Sequence, residues 1–171
     1  VTPSGLVTED GRELEVDVIV YCTGYKILDF DRIEVFGEAG QSLEQRMGDD
    51  PRAFKGIAVP GFPNYFFAVG PNGLVLNVPY FLSVEQNVET IVRLLGKLQE
   101  GGGRRLAVTE SAHEAYNDWM AGRFGKYSWG SPSCNSYYQT ASGHAPFLFP
   151  GNFKDYVRLH QEVDFDDCEV S

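Results

Sequence analysis

Paired cysteine is absent from this sequence. The three cysteines, Cys22, Cys134 and Cys168, are an odd number with no CxxC or other paired spacing. That excludes a disulfide framework and fits a reducing compartment such as the cytoplasm. Histidine is equally thin: His113, His144 and His160 are scattered without an HxxxH, so no ligand spacing for a metal centre exists. Lysine and arginine number 14 against 24 aspartates and glutamates, a net charge of −10, which argues against nucleic acid and anionic membrane surfaces as partners. No apolar run approaches the roughly 20 residues of a spanning helix, and none resembles a secretory h-region. No GxGxxG occurs, so the usual glycine cradle for a pyrophosphate is missing. Gly101-Gly102-Gly103 follows a helix-like stretch and reads as a stop signal, and no Ser-His-Asp or paired-carboxylate arrangement offers a catalytic centre.

What remains is a chain of 171 residues, 43% hydrophobic and 13% aromatic, enough to bury a core as one domain or as part of a larger protein. It opens on Val1, and Gly5–Thr8, the Asp10-Gly11 turn and the run after it read as a hairpin already in progress. We therefore expect the true start to lie upstream. Val16–Tyr21 is apolar apart from Asp17 and rich in β-branched residues, the pattern of a strand covered on both faces. Ile33–Phe36 suggests a short strand and Gly37–Gly40 a turn, while Tyr65–Val69 suggests a second buried strand. Phe81, Val84, Val88, Ile91, Leu95 and Leu98 recur at spacings of three and four, which predicts a helix with one apolar stripe. Ser83 with Gln86, or Asn77 ahead of Pro79, would cap it. A second helix is expected from about Ser111, with Glu114 in its cap, to Phe124, and Arg105–Val108 is a short strand or connector. After these come a hairpin between Ser133 and Phe149 and a last helix capped by Asn152 and running through Val163. The acidic end, Asp164, Asp166, Asp167 and Glu169, reads as solvated.

Two segments invite a chemical reading. Asp17–Tyr25 and Phe62–Asn72 each end an apolar run in a small-residue turn, Thr23-Gly24 and Gly70-Pro71-Asn72. Turns of this kind at strand ends are where α/β proteins bring backbone close to a ligand. Asn72 and Asn77 can both donate and accept, which suits the polar edge of a heterocycle; as local structure, each is equally a turn asparagine. The strongest helix begins just beyond, and its unsatisfied N–H groups make a seat for an anionic ring edge or phosphate.

Four segments in this order, DVIVYCTGY, GIAVPGFPNYFFAVGPN, NVPYFLSVEQNVETI and SCNSYYQ…FLFPGNFKDY, resemble the C-terminal part of Baeyer–Villiger and related flavin-containing monooxygenases over nearly the whole chain. The resemblance implies an α/β fold: the C-terminal portion of a flavoprotein with two dinucleotide-binding domains, with incomplete sheets, helices and a C-terminal hairpin. Residues 1–25 would end the NADP-binding part and its linker strand, 26–125 would complete the FAD-binding domain, and 126–171 would form a cap hairpin and helix. FAD and NADP are the implied cofactors. The reduced flavin would react with dioxygen, and the peroxyflavin would oxidise a ketone or a soft heteroatom of a thioether or amine. The missing N-terminal dinucleotide-binding regions would be partners of this segment, and the catalytic residues would lie upstream.

Position by position, the resemblance assigns Thr23 and Gly24 to the linker turn between the two nucleotide-binding parts. Gly70, Pro71 and Asn72 fall at the turn near the flavin. Asn77 and Val78 fall in the segment against the isoalloxazine ring. Tyr137 falls where larger members carry a tryptophan against the nicotinamide cofactor. Cys22 stands for the commoner alanine as a buried apolar filler. Two other readings stay open on the residues: a non-catalytic binding module derived from such an enzyme, and a pyridine-nucleotide disulfide reductase fragment. The second fits less well, because Gly70-Pro71-Asn72 replaces the expected Gly-Asp and no CxxC is present.

Overall fold

The computed structural model describes residues 1–22, 28–30, 32–130, 138–140, 142–163 and 165–171. Strands β1 (Gly5–Val7) and β2 (Glu13–Glu15) form the opening antiparallel hairpin, in register Leu6 to Leu14. Helix α1 (Leu43–Met47) follows, then α2 (Tyr80–Glu100), β3 (Leu106–Val108), α3 (Glu110–Ala121), α4 (Phe153–Gln161) and β4 (Cys168–Val170). Caps explain most of the helix starts. Ser42 and Gln45 form a reciprocal capping box on α1, Thr109 accepts from the Ala112 amide on α3, and Asn152 accepts from the Asp155 amide on α4. The cap of α3 is therefore Thr109, and Glu114 takes no part in it.

The main core joins α2, β3, α3 and α4 through Leu94, Leu98, Leu106, Tyr116, Met120, Phe149 and Tyr156. A smaller cluster of Leu43, Met47, Ala53, Val59 and Phe62 seats α1. The acidic end is not simply solvated. It supplies β4, antiparallel to β3 with Val108 opposite Cys168. Arg105 fastens this end by pairing with Glu38 at 2.6 Å and Glu169 at 3.3 Å. Because these ion pairs are solvent-exposed they add little stability. Arg105→Ala should leave the unfolding midpoint nearly unchanged while speeding amide exchange in β4; a large drop in the midpoint would contradict this.

Three expectations are corrected. Val16–Tyr21 is not a buried strand: Val18 and Val20 are 75% and 77% exposed. A strand with apolar residues on both faces needs neighbours on both sides, and among the described residues only the Val16 amide finds one, the Ser4 carbonyl at 3.2 Å. Cys22 next to it is likewise exposed, not a buried filler. Tyr65–Val69 is also not a strand but a half-buried extended segment. Asn64 enters it with φ of 57°, and the Phe67 and Gly70 amides bond the Ile57 and Gly56 carbonyls, each at 2.9 Å, a spacing of three that no β-ladder uses.

Helix α2 occupies its expected span, but of the expected stripe only Leu98, and in part Ile91, packs into the core. Its buried residues are Ser83, Gln86, Asn87, Thr90, Leu94 and Leu98, whereas Phe81 and Val92 are 74% and 62% exposed, with Val88 and Leu95 beside them. Its inner face is thus polar for about two turns, Ser83 to Thr90, before Leu94 and Leu98 take over. Every such group must find a hydrogen-bond partner to be buried without loss. Its N-cap is Pro79, with no side-chain cap bond, so neither Ser83 nor Asn77 caps it.

Candidate functional site

Two residues of the inner polar face of α2, Ser83 and Asn87, are spent on the loop that leads into the helix, while Thr90 donates back to the Gln86 carbonyl at 2.9 Å. The Val75 amide donates to Ser83 Oγ at 3.1 Å. Asn87 Nδ2 donates to the Ala68 carbonyl at 2.8 Å and the Gly73 carbonyl at 3.2 Å. Tyr156, reaching across from α4, places its hydroxyl 2.5 Å from Asn87 Oδ1 and 3.0 Å from the Gly73 carbonyl. Burial pushes the Tyr156 phenol well above its ordinary value, so it stays a hydrogen-bond donor. Gly56 packs against the same loop with φ of 73°; a Cβ there would lie 2.4 Å from the Gly73 Cα.

Asn72 anchors the other side. Fully buried, with φ of 56°, it sends Nδ2 to the Ala145 and Leu148 carbonyls at 2.8 and 2.7 Å. Its backbone N–H donates to the Pro146 carbonyl at 2.5 Å. The run 145–149 is thereby laid alongside the loop, with Leu74 and Leu148 bridged in parallel and the Phe149 amide donating to the Leu74 carbonyl at 2.7 Å. Asn72 Oδ1 is buried without a partner among the described residues.

Past Val75 the loop emerges. Leu76 and Asn77 are exposed, Val78 is half-buried, and Tyr80 and Phe81, also exposed, meet edge to face with centroids 5.7 Å apart. The Asn77 side chain makes no hydrogen bond among the described residues. An uncapped helix start therefore opens beside a free amide and flanking apolar and aromatic side chains. The structure brings Gly70, Pro71, Asn72, Asn77 and Val78 into one loop, the first three buried and the last two at its outer end. Thr23, Gly24 and Tyr137 lie outside the described residues.

Sequence reasoning missed Ser83, Asn87 and Tyr156. For Ser83 and Asn87 a signal was present, polar residues at the i, i+4, i+7 positions Ser83, Asn87 and Thr90; for Tyr156 there was none. Near the end of α4, two cations cap helix carbonyls: Lys55 Nζ donates to the Leu159 carbonyl at 2.8 Å, and Arg93 donates to the His160 carbonyl. His160 beside them is fully buried, and burial, with the neighbouring Lys55 and Arg93 charges, lowers its pKa to about 4. Among the described residues no cluster of histidine, cysteine and carboxylate can hold a metal, and no helix is long and apolar enough to cross a membrane.

No family model matches the chain. A Baeyer–Villiger monooxygenase of Pseudomonas aeruginosa is 34% identical over 96% of the chain and 32% of its own length. A phenazine N-monooxygenase of Lysobacter antibioticus is 35% identical over 70% of the chain and 22% of its own length. The chain thus spans about a third or less of the curated relatives it matches. Among solved structures, closed cyclohexanone monooxygenase superposes over 100% of this chain and 33% of its own, with TM-score 0.78 and 30% identity. A cyclohexanone monooxygenase triple mutant from Rhodococcus sp. Phi1, bound to NADP+, gives 0.77 at 27% identity, over 100% of this chain and 32% of its own. The small sheets and helices are accordingly the C-terminal portion of an α/β flavoprotein with two dinucleotide-binding domains. In sequence and fold the chain belongs to the flavin-containing monooxygenases of the Baeyer–Villiger type, whose C-terminal part it matches.

Proposed function

We propose that this segment supplies the flavin-facing side of an FAD- and NADPH-dependent monooxygenase that inserts one oxygen of O2 into a ketone or oxidises a soft heteroatom. The observation that carries the reading is the uncapped start of α2, open between Leu76, Asn77, Tyr80 and Phe81. These residues fit a flavin edge. The free N–H groups and the helix dipole favour the negative pyrimidine end of the reduced ring by on the order of 1 kcal/mol. The Asn77 amide can donate to or accept from its polar atoms, and the apolar side chains suit the ring face. When bound, the flavin supplies the hydride acceptance and oxygen activation, while the protein orients it and keeps water away. The kinship with a phenazine N-monooxygenase and with cyclohexanone monooxygenases keeps both nitrogen and ketone substrates in view.

Gly70, Pro71 and Asn72 act here by shaping the loop, and Asn77 and Val78 by meeting the ring. Thr23, Gly24 and Tyr137 keep their roles from the family resemblance, at the linker and the nicotinamide. These residues include no GxGxxG, so the phosphates of both cofactors must be gripped elsewhere, and we expect no turnover from this segment alone. The test uses the full-length enzyme: flavin content on purification, then NADPH oxidation with a cyclic ketone, a thioether and an aromatic amine. A colourless protein that does not take up FAD would overturn the reading. Within that enzyme, Asn77→Leu should lower oxygenated product severalfold while protein yield holds. Equal losses in yield and product would reduce Asn77 to a structural residue.

A further inference from the structure

We propose that Asn87 and Tyr156 are positioning residues that set the flavin against the start of α2, through the loop 68–75. The inference rests on the reading above and extends it to two residues that touch no cofactor. Five hydrogen bonds join loop, α2 and α4: Val75 to Ser83, Asn87 to Ala68 and to Gly73, and Tyr156 to Asn87 and to Gly73. Asn87 and Tyr156 are both fully buried, so water cannot stand in for a lost partner.

Apolar packing would let a loop slide along a helix by tenths of an ångström at little cost. Directional bonds from a side chain two turns into the helix to loop carbonyls do not. The polar inner face of α2 therefore fixes how far Leu76, Asn77 and the first free N–H groups stand from the Gly70–Asn72 turn. A ring seated on Asn77 and the helix start needs those groups held in place to about 0.5 Å. The Tyr156 hydroxyl has one proton for two acceptors, Asn87 Oδ1 and the Gly73 carbonyl, so both are oriented by the same group. Because Tyr156 sits on α4, next to the run 145–149 that Asn72 holds, the C-terminal helix becomes part of the cofactor's support. Gly56 also packs closely against Gly73, where a Cβ would come within 2.4 Å of its Cα.

The test compares Tyr156→Phe with Tyr116→Phe in the full-length enzyme. Tyr116 is a matched control: it is buried in the same core, and its hydroxyl has no partner among the described residues. FAD dissociation constants, the absorption and fluorescence of bound flavin, and hydrogen peroxide released per NADPH are measured well below both unfolding midpoints. We expect Tyr156→Phe to weaken FAD binding about tenfold, the scale of one buried hydrogen bond, to alter the flavin spectrum and to raise peroxide release. Tyr116→Phe should change none of these. Asn87→Ala should exceed Tyr156→Phe; if it does not fold, the tyrosine pair still decides. Equal behaviour of the two tyrosine variants, with wild type binding FAD, would overturn the positioning role and leave the site reading standing. Wild type that binds no FAD would overturn both.

Discussion

Asn72→Ala should lower stability by about 4 kcal/mol, the largest single-residue effect expected in this chain. Three losses combine. The Ala145 and Leu148 carbonyls each lose a buried donor, at about 1–3 kcal/mol per unpaired group. Alanine must also hold the left-handed φ of 56° that asparagine accepts more readily, at about 1 kcal/mol. The loss of unpartnered Oδ1 gives a little back. Asn72→Gly separates the parts: it keeps the conformation but not the amide, and should be about 1 kcal/mol less damaging. Urea titration of the full-length protein, followed by a probe near Phe149, measures both. Substitutions that cost equally would remove backbone strain from the account. Loss near zero in both would mean that the run 145–149 is held by other contacts.

Acidification should weaken this region between pH 6.5 and 4 through His160. His160 has a folded pKa of about 4 against an ordinary 6.5. The folded state therefore binds fewer protons than the unfolded one across that window. The stability this neutral ring permits is complete above pH 6.5, falls as pH drops, and levels off near pH 4. The total is about 3 kcal/mol for His160. His113 and His144 shift in the same direction, in both cases chiefly through burial, with Asp50 at 2.5 Å from the His144 ring opposing the shift there. Exposed Asp10 and Glu38, held below their usual range chiefly by bonds from Thr8 and Arg105 respectively, act only at still lower pH. His160→Leu should flatten the pH dependence of stability by close to one proton between pH 6.5 and 4. It should also lose the Nδ1 hydrogen bond to the Tyr156 carbonyl at 2.9 Å. An unchanged slope would show that the His160 site opens to water before it titrates.

The parts of this fold that were legible in the sequence are those decided within a few residues. The Asp10-Gly11 hairpin, the Asn152 cap of α4 and the span of α2 each rest on local chemistry, and each is present. What was not legible depends on what lies across from an element. Periodicity located the apolar stripe of α2 but carries no information about which body covers it, so its polar face was not recognised as the inner one. Val16–Tyr21 and Tyr65–Val69 have the composition of covered strands, yet composition cannot supply the neighbours that make a ladder. The candidate site divides the same way. Gly70-Pro71-Asn72 and Asn77 were visible as turn and amide residues, whereas Asn87 and Tyr156 act over 14 and 83 residues of separation, which no short motif spells.

The polar inner face of α2 has a bearing on chimeras made between these enzymes. Its two sides meet different partners: Ser83 and Asn87 this segment's own loop, Phe81, Val88, Val92 and Leu95 whatever surface faces them. Transplanting residues 68–161 as a block would carry the first set of contacts intact. Compatibility with the recipient would then turn on those four outward side chains and on the contacts the block makes outside itself, Gly56 against Gly73, Lys55 on the Leu159 carbonyl and β4 against β3.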